Sequence, residues 1–294
     1  MKSISKKISI IVVTYNSSKT INTLLKSIDT LSNQNLIKEL IIIENNSPDR
    51  DETTKIFKKY KFNYIKSKQY VLSKANYGFA KSCNIGASLA SGDFLLFLNP
   101  DTELISSSLN TLLSHAIKNN TDLIGGLSER YDGEIHKTVV RYPTLLVGLL
   151  EFSNIGKFIH NYFGNNYFYY VDKNLYQSRY DTIVEGLGGA YLLVKKSSFH
   201  KLNGFDERFF MYLEDVDLCY RANLKGMKIQ FCPHSKIKHI GGASSKNKYH
   251  IRHQAWYDSR KAYYKKHFGV LANILIQFVF NVDELILKIR SKYL

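Results

Sequence analysis

The first 125 residues of this chain have a rhythm that few architectures can accommodate. Short β-branched runs alternate with segments whose apolar residues recur every three or four positions. Residues 8–14 (ISIIVVT) form an unbroken apolar run of strand length that stops at Tyr15 and Asn16. Ile21, Leu24, Leu25, Ile28 and Leu31 then share one helical face, with Ser17 or Ser18 as the expected cap. A second run, residues 40–43, ends in Glu44, Asn45, Asn46 and Ser47. Residues 51–60 read as a helix, 62–66 as a short strand and 79–91 as a helix stopped by Gly92. Residues 94–98 read as a strand entering Asn99, Pro100 and Asp101, and 106–119 as a helix before a strand beginning at Leu123. Continuously apolar strands are those buried on both faces, which is the habit of a parallel sheet covered by helices. The chain is therefore predicted to be α/β, with a mostly parallel central sheet. In such sheets ligands sit beyond the carboxyl ends of the strands, and the polar clusters fall there.

The second half is less regular. Residues 150–180 are rich in Phe, Tyr and Asn without clean periodicity and suit a lid or an acceptor-binding insertion. Residues 183–194 contain a strand, 197–202 a short helix, and 214–225 a helix ended by Gly226. No repeat or linker divides the chain. The expected organisation is one domain over 1–269, in two halves of about 1–125 and about 126–269. A C-terminal amphipathic helix over 270–294 follows. Its stripe is Leu271, Ile274, Leu275, Phe278, Val282, Leu285, Ile286 and Ile289, with Lys288, Arg290 and Lys292 near the end.

Charge narrows the partners. The 294 residues carry 41 basic and 25 acidic side chains, a net charge of +16, which favours an anionic partner or simply solubility. The basic residues are scattered, and neither a basic face nor a stacking motif stands out, so no nucleic-acid partner is expected. A Gly-x-Gly-x-x-Gly loop after the first strand is missing, which disfavours a dinucleotide-binding oxidoreductase. The three cysteines, Cys83, Cys219 and Cys232, match no zinc spacing and read as reduced, buried thiols of a cytoplasmic protein. No stretch reaches the roughly 20 apolar residues that cross a bilayer, and the run after Lys6 and Lys7 is too short for a signal peptide.

Transfer of a sugar from a nucleotide diphosphate needs a nucleoside cradle, a means of neutralising the departing diphosphate, and a base for the incoming hydroxyl. The strand-end clusters can supply the first two, and the acidic segment 205–221 (FDERFFMYLEDVDLCYR) the third. Asp217 and Arg221, four apart, would pair along a helix, which makes Asp217 a structural more than a catalytic group. Asn76 and Asn84 can equally cap the helix between them, and His239 can equally be a surface histidine.

Taken in order, the motifs resemble glycosyltransferase family 2, with the GT-A fold and its Rossmann-like sheet, and most of all a rhamnosyltransferase-like branch. The matching segments are 13–16 (VTYN), 44–47 (ENNS), 76–80 (NYGFA) with 84–86 (NIG), 91–101 (SGDFLLFLNPD), Gly189 with Ala190, 204–221, and His239. The resemblance implies that Thr14, Tyr15 and Asn16 meet the base and ribose. Glu44 falls where the family usually has Asp on the nucleoside, and Asn76 and Gly78 fall on the loop beside the nucleotide. The family's Asp-x-Asp metal motif reads here as Asn99-Pro100-Asp101, so Asp101 is left as the main ligand for Mg2+ or Mn2+, with His239 as a second. Asp215 matches the catalytic base, and Glu214 and Asp217 fall where they can support it or the acceptor. The Gln-x-x-Arg-Trp signature of processive synthases is absent, the only Trp being Trp256. The resemblance further implies an inverting reaction and a nucleotide-sugar donor, dTDP-L-rhamnose or else a UDP- or GDP-sugar. The implied acceptor is a growing surface or lipid-linked glycan, with anionic membrane as a further partner for a protein on the inner face of the cell membrane.

Overall fold

The computed structural model describes residues 6–31, 34–150, 162, 173–241 and 249–290. The strands are β1 (Ile8–Thr14), β2 (Ile37–Glu44), β3 (Lys68–Leu72), β4 (Phe94–Leu98), β5 (Thr102–Leu104), β6 (Leu123–Glu129), β7 (Ile135–His136), β8 (Val139–Val140), β9 (Thr182–Ile183), β10 (Gly186–Leu187), β11 (Tyr191–Lys195) and β12 (Ile229–His239). The helices are α1 (Ile21–Asp29), α2 (Arg50–Lys59), α3 (Gly78–Leu89), α4 (Ser108–Lys118), α5 (Leu145–Leu150), α6 (Lys196–Lys201), α7 (Glu214–Leu224) and α8 (Tyr249–Arg290). The main sheet runs β3-β2-β1-β4-β11-β6-β12-β5. Its first four strands are parallel, and β6 pairs parallel with β12. Only β11 and β5 run against their neighbours on this path. This is the α/β architecture that the periodicity implies.

Alternation within each buried strand builds two cores. Ile8, Ile10, Val12, Leu40, Ile42, Leu96 and Leu98 face one side with α1 and α4. Ile11, Val13, Ile41, Ile43, Leu95 and Phe97 face the other with α3 and α7. A third cluster joins Phe209 and Val216 to Tyr257, Tyr263, Tyr264, Ile276 and Phe280 of α8, so the C-terminal helix is part of the body of the protein.

Three local expectations are corrected. The third strand is Lys68–Leu72, not residues 62–66, because Asp29 captures Asn63 through its backbone N–H (2.9 Å) and side chain (2.7 Å) and holds that segment off the sheet edge. Ser17 does not cap α1 with its hydroxyl. Its carbonyl accepts from Thr20 and Ile21, while its Oγ closes the turn at Tyr15. The strand β12, the longest among the described residues, has no counterpart in the periodicity because Pro233 interrupts it. A register shift between Cys232 and Lys236, opposite Gly126 and Leu127, accommodates the proline as a bulge. Gly126 permits that bulge, since a Cβ there would come within 2.4 Å of the Ser235 carbonyl oxygen. The C-terminal helix begins at Tyr249 and breaks at Gly269 (φ 86°, ψ −177°). Most of the expected insertion at 150–180, and Lys292, lie outside the described residues, as do the side chains of Ile286, Lys288, Ile289 and Arg290.

Candidate active site

The carboxyl ends of β1, β2 and β4 deliver the expected nucleotide residues to one face. Asn16 (φ 52°) and Asn46 (φ 57°) sit in the left-handed region where the chain turns off β1 and β2, a conformation Asn tolerates better than most side chains. Thr14 Oγ donates to Glu44 Oε2 (2.6 Å), and Ser47 donates to Glu44 Oε1 from its N–H (2.8 Å) and hydroxyl (2.6 Å). Glu44 is fully buried. Its carboxylate thus braces the two strand ends from inside. The extra methylene relative to Asp lets it span to Thr14. Tyr15 is half-buried.

Asn45, a residue given no role by the sequence reading, ties this face together. Its amide donates to Asn76 Oδ1 (2.7 Å) and the Gly78 carbonyl (3.1 Å), and its oxygen accepts from the Tyr77 N–H (2.9 Å). Asn76 Oδ1 also receives the Gly78 N–H at 3.0 Å, at the start of α3. Asn84 instead lies inside α3 and clasps Phe205, accepting from its N–H and donating to its carbonyl. Gly78 has φ 79°, and a Cβ on it would lie 2.2 Å from the Phe210 carbonyl oxygen. That glycine is demanded by the close approach of the loop before α3 to the segment before α7, where Phe79 N–H donates to Phe210 O (2.7 Å).

The two expected metal ligands, 138 positions apart in sequence, meet. β5 runs antiparallel to β12 with Thr102 opposite His239, so Asp101 lies beside the end of β12. His239 Nε2 is 3.1 Å from Asp101 Oδ1, and both residues are buried. Ile240 N–H holds the Asp101 carbonyl (3.1 Å), and the Thr102 hydroxyl holds the Asn99 carbonyl (2.7 Å). His136, unnoticed in the sequence, lies with its ring 5.0 Å from that of His239 and its Nε2 3.0 Å from the His239 carbonyl oxygen. Burial holds His136 below the usual histidine range, so near pH 7 it is neutral. Two ligand atoms bound at right angles to one ion, each at about 2.1 Å, stand about 3 Å apart. The Asp101–His239 spacing has that value, and the pair would hold a divalent cation once the two ligand atoms, now hydrogen-bonded to each other, turn toward it.

Asp215 is stitched to the same place. The Asn99 N–H donates to the Ala190 carbonyl (3.1 Å), and the preceding residue, Gly189, donates its N–H to Asp215 Oδ2 at 2.6 Å. A second N–H, from Val216, reaches Oδ1 (2.8 Å). Tyr212 (φ 75°) and Leu213 (φ 64°) turn left-handed just before α7, a strained entry that aims its first residues. Burial raises the Asp215 carboxyl above the ordinary range, opposed by the Gly189 and Val216 hydrogen bonds. Glu214 is pushed well above its range by burial and by the charge of Asp215, and its Oε2 has no hydrogen-bond partner. Two adjacent carboxyls, one buried and one half-buried, cannot both ionise cheaply, which pushes Glu214 up, while the two N–H donors favour the ionised form of Asp215.

Asp217 belongs to a different environment. It is 0% exposed and receives Arg221 Nε (2.7 Å), Lys266 Nζ (2.5 Å) and His267 Nε2 (2.8 Å). The expected Arg221 pair is therefore one of three, the other two coming from α8. Lys266 also reaches Asp206 (2.7 Å).

An α/β sheet of this order, with an Asp–His pair and a half-buried carboxylate after a left-handed turn at one end, defines a GT-A-like fold. The family description "Glycosyl transferase family 2" matches residues 9–201, and "N-terminal domain of galactosyltransferase" matches 167–253. The chain belongs to glycosyl transferase family 2 and is a glycosyltransferase. The rhamnosyltransferase WbbL of Escherichia coli K12 is 28% identical over 203 residues, 66% of this chain and 67% of that protein. The N-acetylglucosaminyl-diphospho-decaprenol L-rhamnosyltransferase of Mycobacterium tuberculosis is 28% identical over 156 residues, 50% of this chain and 47% of its own length. A crystal structure of GalNAc-T7 with UDP, GalNAc and Mn2+ superposes with TM-score 0.62 at 14% identity, covering 80% of this chain and 44% of that one. The structure of Staphylococcus aureus TarS 1–349 gives TM-score 0.57 at 18% identity, covering 87% and 64%. The two structural likenesses speak for the fold alone.

Proposed function

We propose that this chain is a metal-dependent, inverting transferase that moves L-rhamnose from dTDP-L-rhamnose to a growing, lipid-linked or surface glycan. Asp215 takes the proton of the acceptor hydroxyl as the new bond to the anomeric carbon forms and the bond to the diphosphate breaks, the leaving diphosphate keeping the electron pair. Asp101 and His239 would hold Mg2+ or Mn2+, whose chemistry when bound is to neutralise the departing diphosphate. Tyr15, Asn16, Asn76 and Asn99 line the nucleotide side, and Thr14, Glu44 and Gly78 hold its shape. Glu214, buried beside Asp215, supports the base from within. The observation that carries this reading is the link from the Asn99–Asp101 turn through Ala190 and Gly189 to Asp215. The rhamnosyltransferases among the similar proteins support the donor. The test is a panel of dTDP-, UDP- and GDP-sugars with the purified chain, with and without chelator, and NMR of the product anomer. Inversion with dTDP-L-rhamnose and loss under chelation are expected. Preference for another nucleotide overturns the donor alone, retention overturns the mechanism, and full activity under chelation overturns the metal.

The apolar stripe extends the proposal to an anionic membrane surface. No helix among the described residues is long and apolar enough to cross a membrane. Past Gly269, however, α8 turns Ala272, Ile276 and Phe280 inward and leaves Leu271 79% and Phe278 68% exposed, with Ile274, Leu275, Val282 and Leu285 beside them. A contiguous apolar stripe on a chain of net charge +16 suits a bilayer of anionic lipid. Flotation with anionic vesicles should be lost in a Leu271→Glu, Phe278→Glu double variant. Undiminished flotation removes this face from the proposal, and loss of a dimer in sedimentation instead would identify the cover as a second copy.

A further inference from the structure

A second cluster of ligating side chains lies on the same strand as His239 but toward its other end. β9 runs antiparallel to β12 with Thr182 opposite Phe231, so Asp181 lies beside Cys232. The last turn of α4 packs over this point and brings in His115. One ligand atom from each of His115, Asp181 and Cys232 lies within 4.8 Å of the other two. His115 Nδ1 is 2.6 Å from Asp181 Oδ2 and 3.6 Å from Cys232 Sγ. Asn119 Nδ2 donates to Asp181 Oδ2 (2.9 Å), orienting the carboxylate. The other oxygen, Asp181 Oδ1, is buried with no hydrogen-bond partner, and the side chain is only 8% exposed. Seven residues of extended strand separate Cys232 from His239, about 20 Å, so this is a separate place from the sugar-transfer site.

The contacts exclude a nucleophilic thiol of the Cys–His–Asp kind. That arrangement spends one imidazole nitrogen on the carboxylate and the other on the nucleophile. Here a single nitrogen, Nδ1, faces both groups, as it must when all three converge on one point. Tetrahedral bonds of about 2.1 Å to nitrogen and about 2.3 Å to sulfur set those two atoms about 3.6 Å apart. The His115–Cys232 separation already has that value. The His115–Asp181 pair must open from its hydrogen-bonded distance to about 3.3 Å, a small swing of a carboxylate that has an unpartnered oxygen to offer.

We propose that His115, Asp181 and Cys232 bind a thiophilic divalent transition-metal ion, zinc by the chemistry of a thiolate, imidazole and carboxylate set. The ion locks α4 and the chain before β9 onto the bulged stretch of β12, with a fourth position open to water beside the partly exposed His115 ring. Binding releases the Cys232 thiol proton, so occupancy rises with pH.

The test uses the full chain stripped with chelator and reloaded with Zn2+, with bound metal counted by mass spectrometry, and Co2+ loading followed by thiolate-to-cobalt charge-transfer absorption. One tightly held zinc per chain and a cobalt–thiolate band are expected. Both should persist in Asp101→Asn, and zinc should bind roughly 100-fold or more weakly in Cys232→Ser, with a smaller loss in Asp181→Asn. Absence of the cobalt–thiolate band in the unaltered chain overturns the proposal, whatever the variants do. So does zinc that is kept by Cys232→Ser or lost with Asp101→Asn. If Cys232→Ser fails to fold, the band in the unaltered chain and the weakened binding in Asp181→Asn carry the decision.

Discussion

Two carboxylates stand two residues apart at the start of one helix, and the fold treats them in opposite ways. Asp215 is met by two backbone N–H groups and, among the described residues, by no cation, and burial raises it. Asp217 is buried too, but His267, Arg221 and Lys266 outweigh that burial and hold it below the carboxylate range. Asp215 lies against Gly189, beside the Asn99–Asp101 turn at the strand ends. Asp217 faces α8 and fastens it to α7. Sequence proximity therefore says little about role. A charge that is neutralised on all sides is a strut, whereas one left poised between burial and two dipoles is free to take a proton.

The comparison is broken most directly at Asp215. Asp215→Asn keeps the size and one of the two N–H contacts, since the amide has a single acceptor oxygen, and removes the basicity. Turnover should fall by roughly 10²–10⁴, the range typical of losing a general base, with donor affinity unchanged. Kinetics and donor titration on the same preparation decide it, and near-normal turnover would show that the base lies elsewhere.

The complementary change, Asp217→Asn, should act on the fold. It leaves Arg221, Lys266 and His267 gathered around a group that no longer carries charge, at a cost of about 3 kcal/mol in stability. Urea unfolding should show a lower midpoint, and below that midpoint the folded fraction should retain turnover within a few-fold. If Asp217→Asn unfolds normally but stops chemistry, the two roles are reversed.

How far the sequence announces this contrast depends on where each partner comes from. Buried strands such as β1, β2 and β4 are legible because continuous β-branched runs have few other uses. The Asp217–Arg221 pair is legible because helical spacing alone brings it together. Lys266 and His267 are not, since they reach Asp217 only after α8 returns across α7, 49 and 50 positions later. Asp101 and His239 carry motif signals, but their contact exists only through the pairing of β5 with β12, and β12 itself is hidden by Pro233 until the bulge opposite Gly126 is seen. The contacts of Glu44 are not legible either: its longer side chain turns back to Thr14 and Ser47. His115, Asp181 and Cys232 have no sequence signature at all, because two separate crossings of the chain assemble them.

The smallest predicted effect is the sharpest discriminator, because one variable acts on both carboxylates in the same sample. Asp217 has a folded pKa below its unfolded value of about 3.9. Its contribution to stability is then complete above that value and lost only as pH falls through the lower, folded one. Asp215 has a folded pKa above its unfolded value, with the opposite sign. Keeping it ionised costs the fold something at neutral pH, and that cost is relieved as pH falls through the raised value. Chemistry needs the ionised form, so the same titration removes activity. Acidification should therefore extinguish turnover first, at a pH above about 4, while the fold is unharmed, and should weaken the fold only below about 4. Each pKa unit between the two limbs corresponds to about 1.4 kcal/mol. The measurement is a pH profile of kcat/KM beside urea midpoints taken at each pH. A single shared acid limb, with activity and stability failing together below about pH 4, would mean that Asp215 is held as firmly as Asp217. The distinction between base and strut would then have no physical basis.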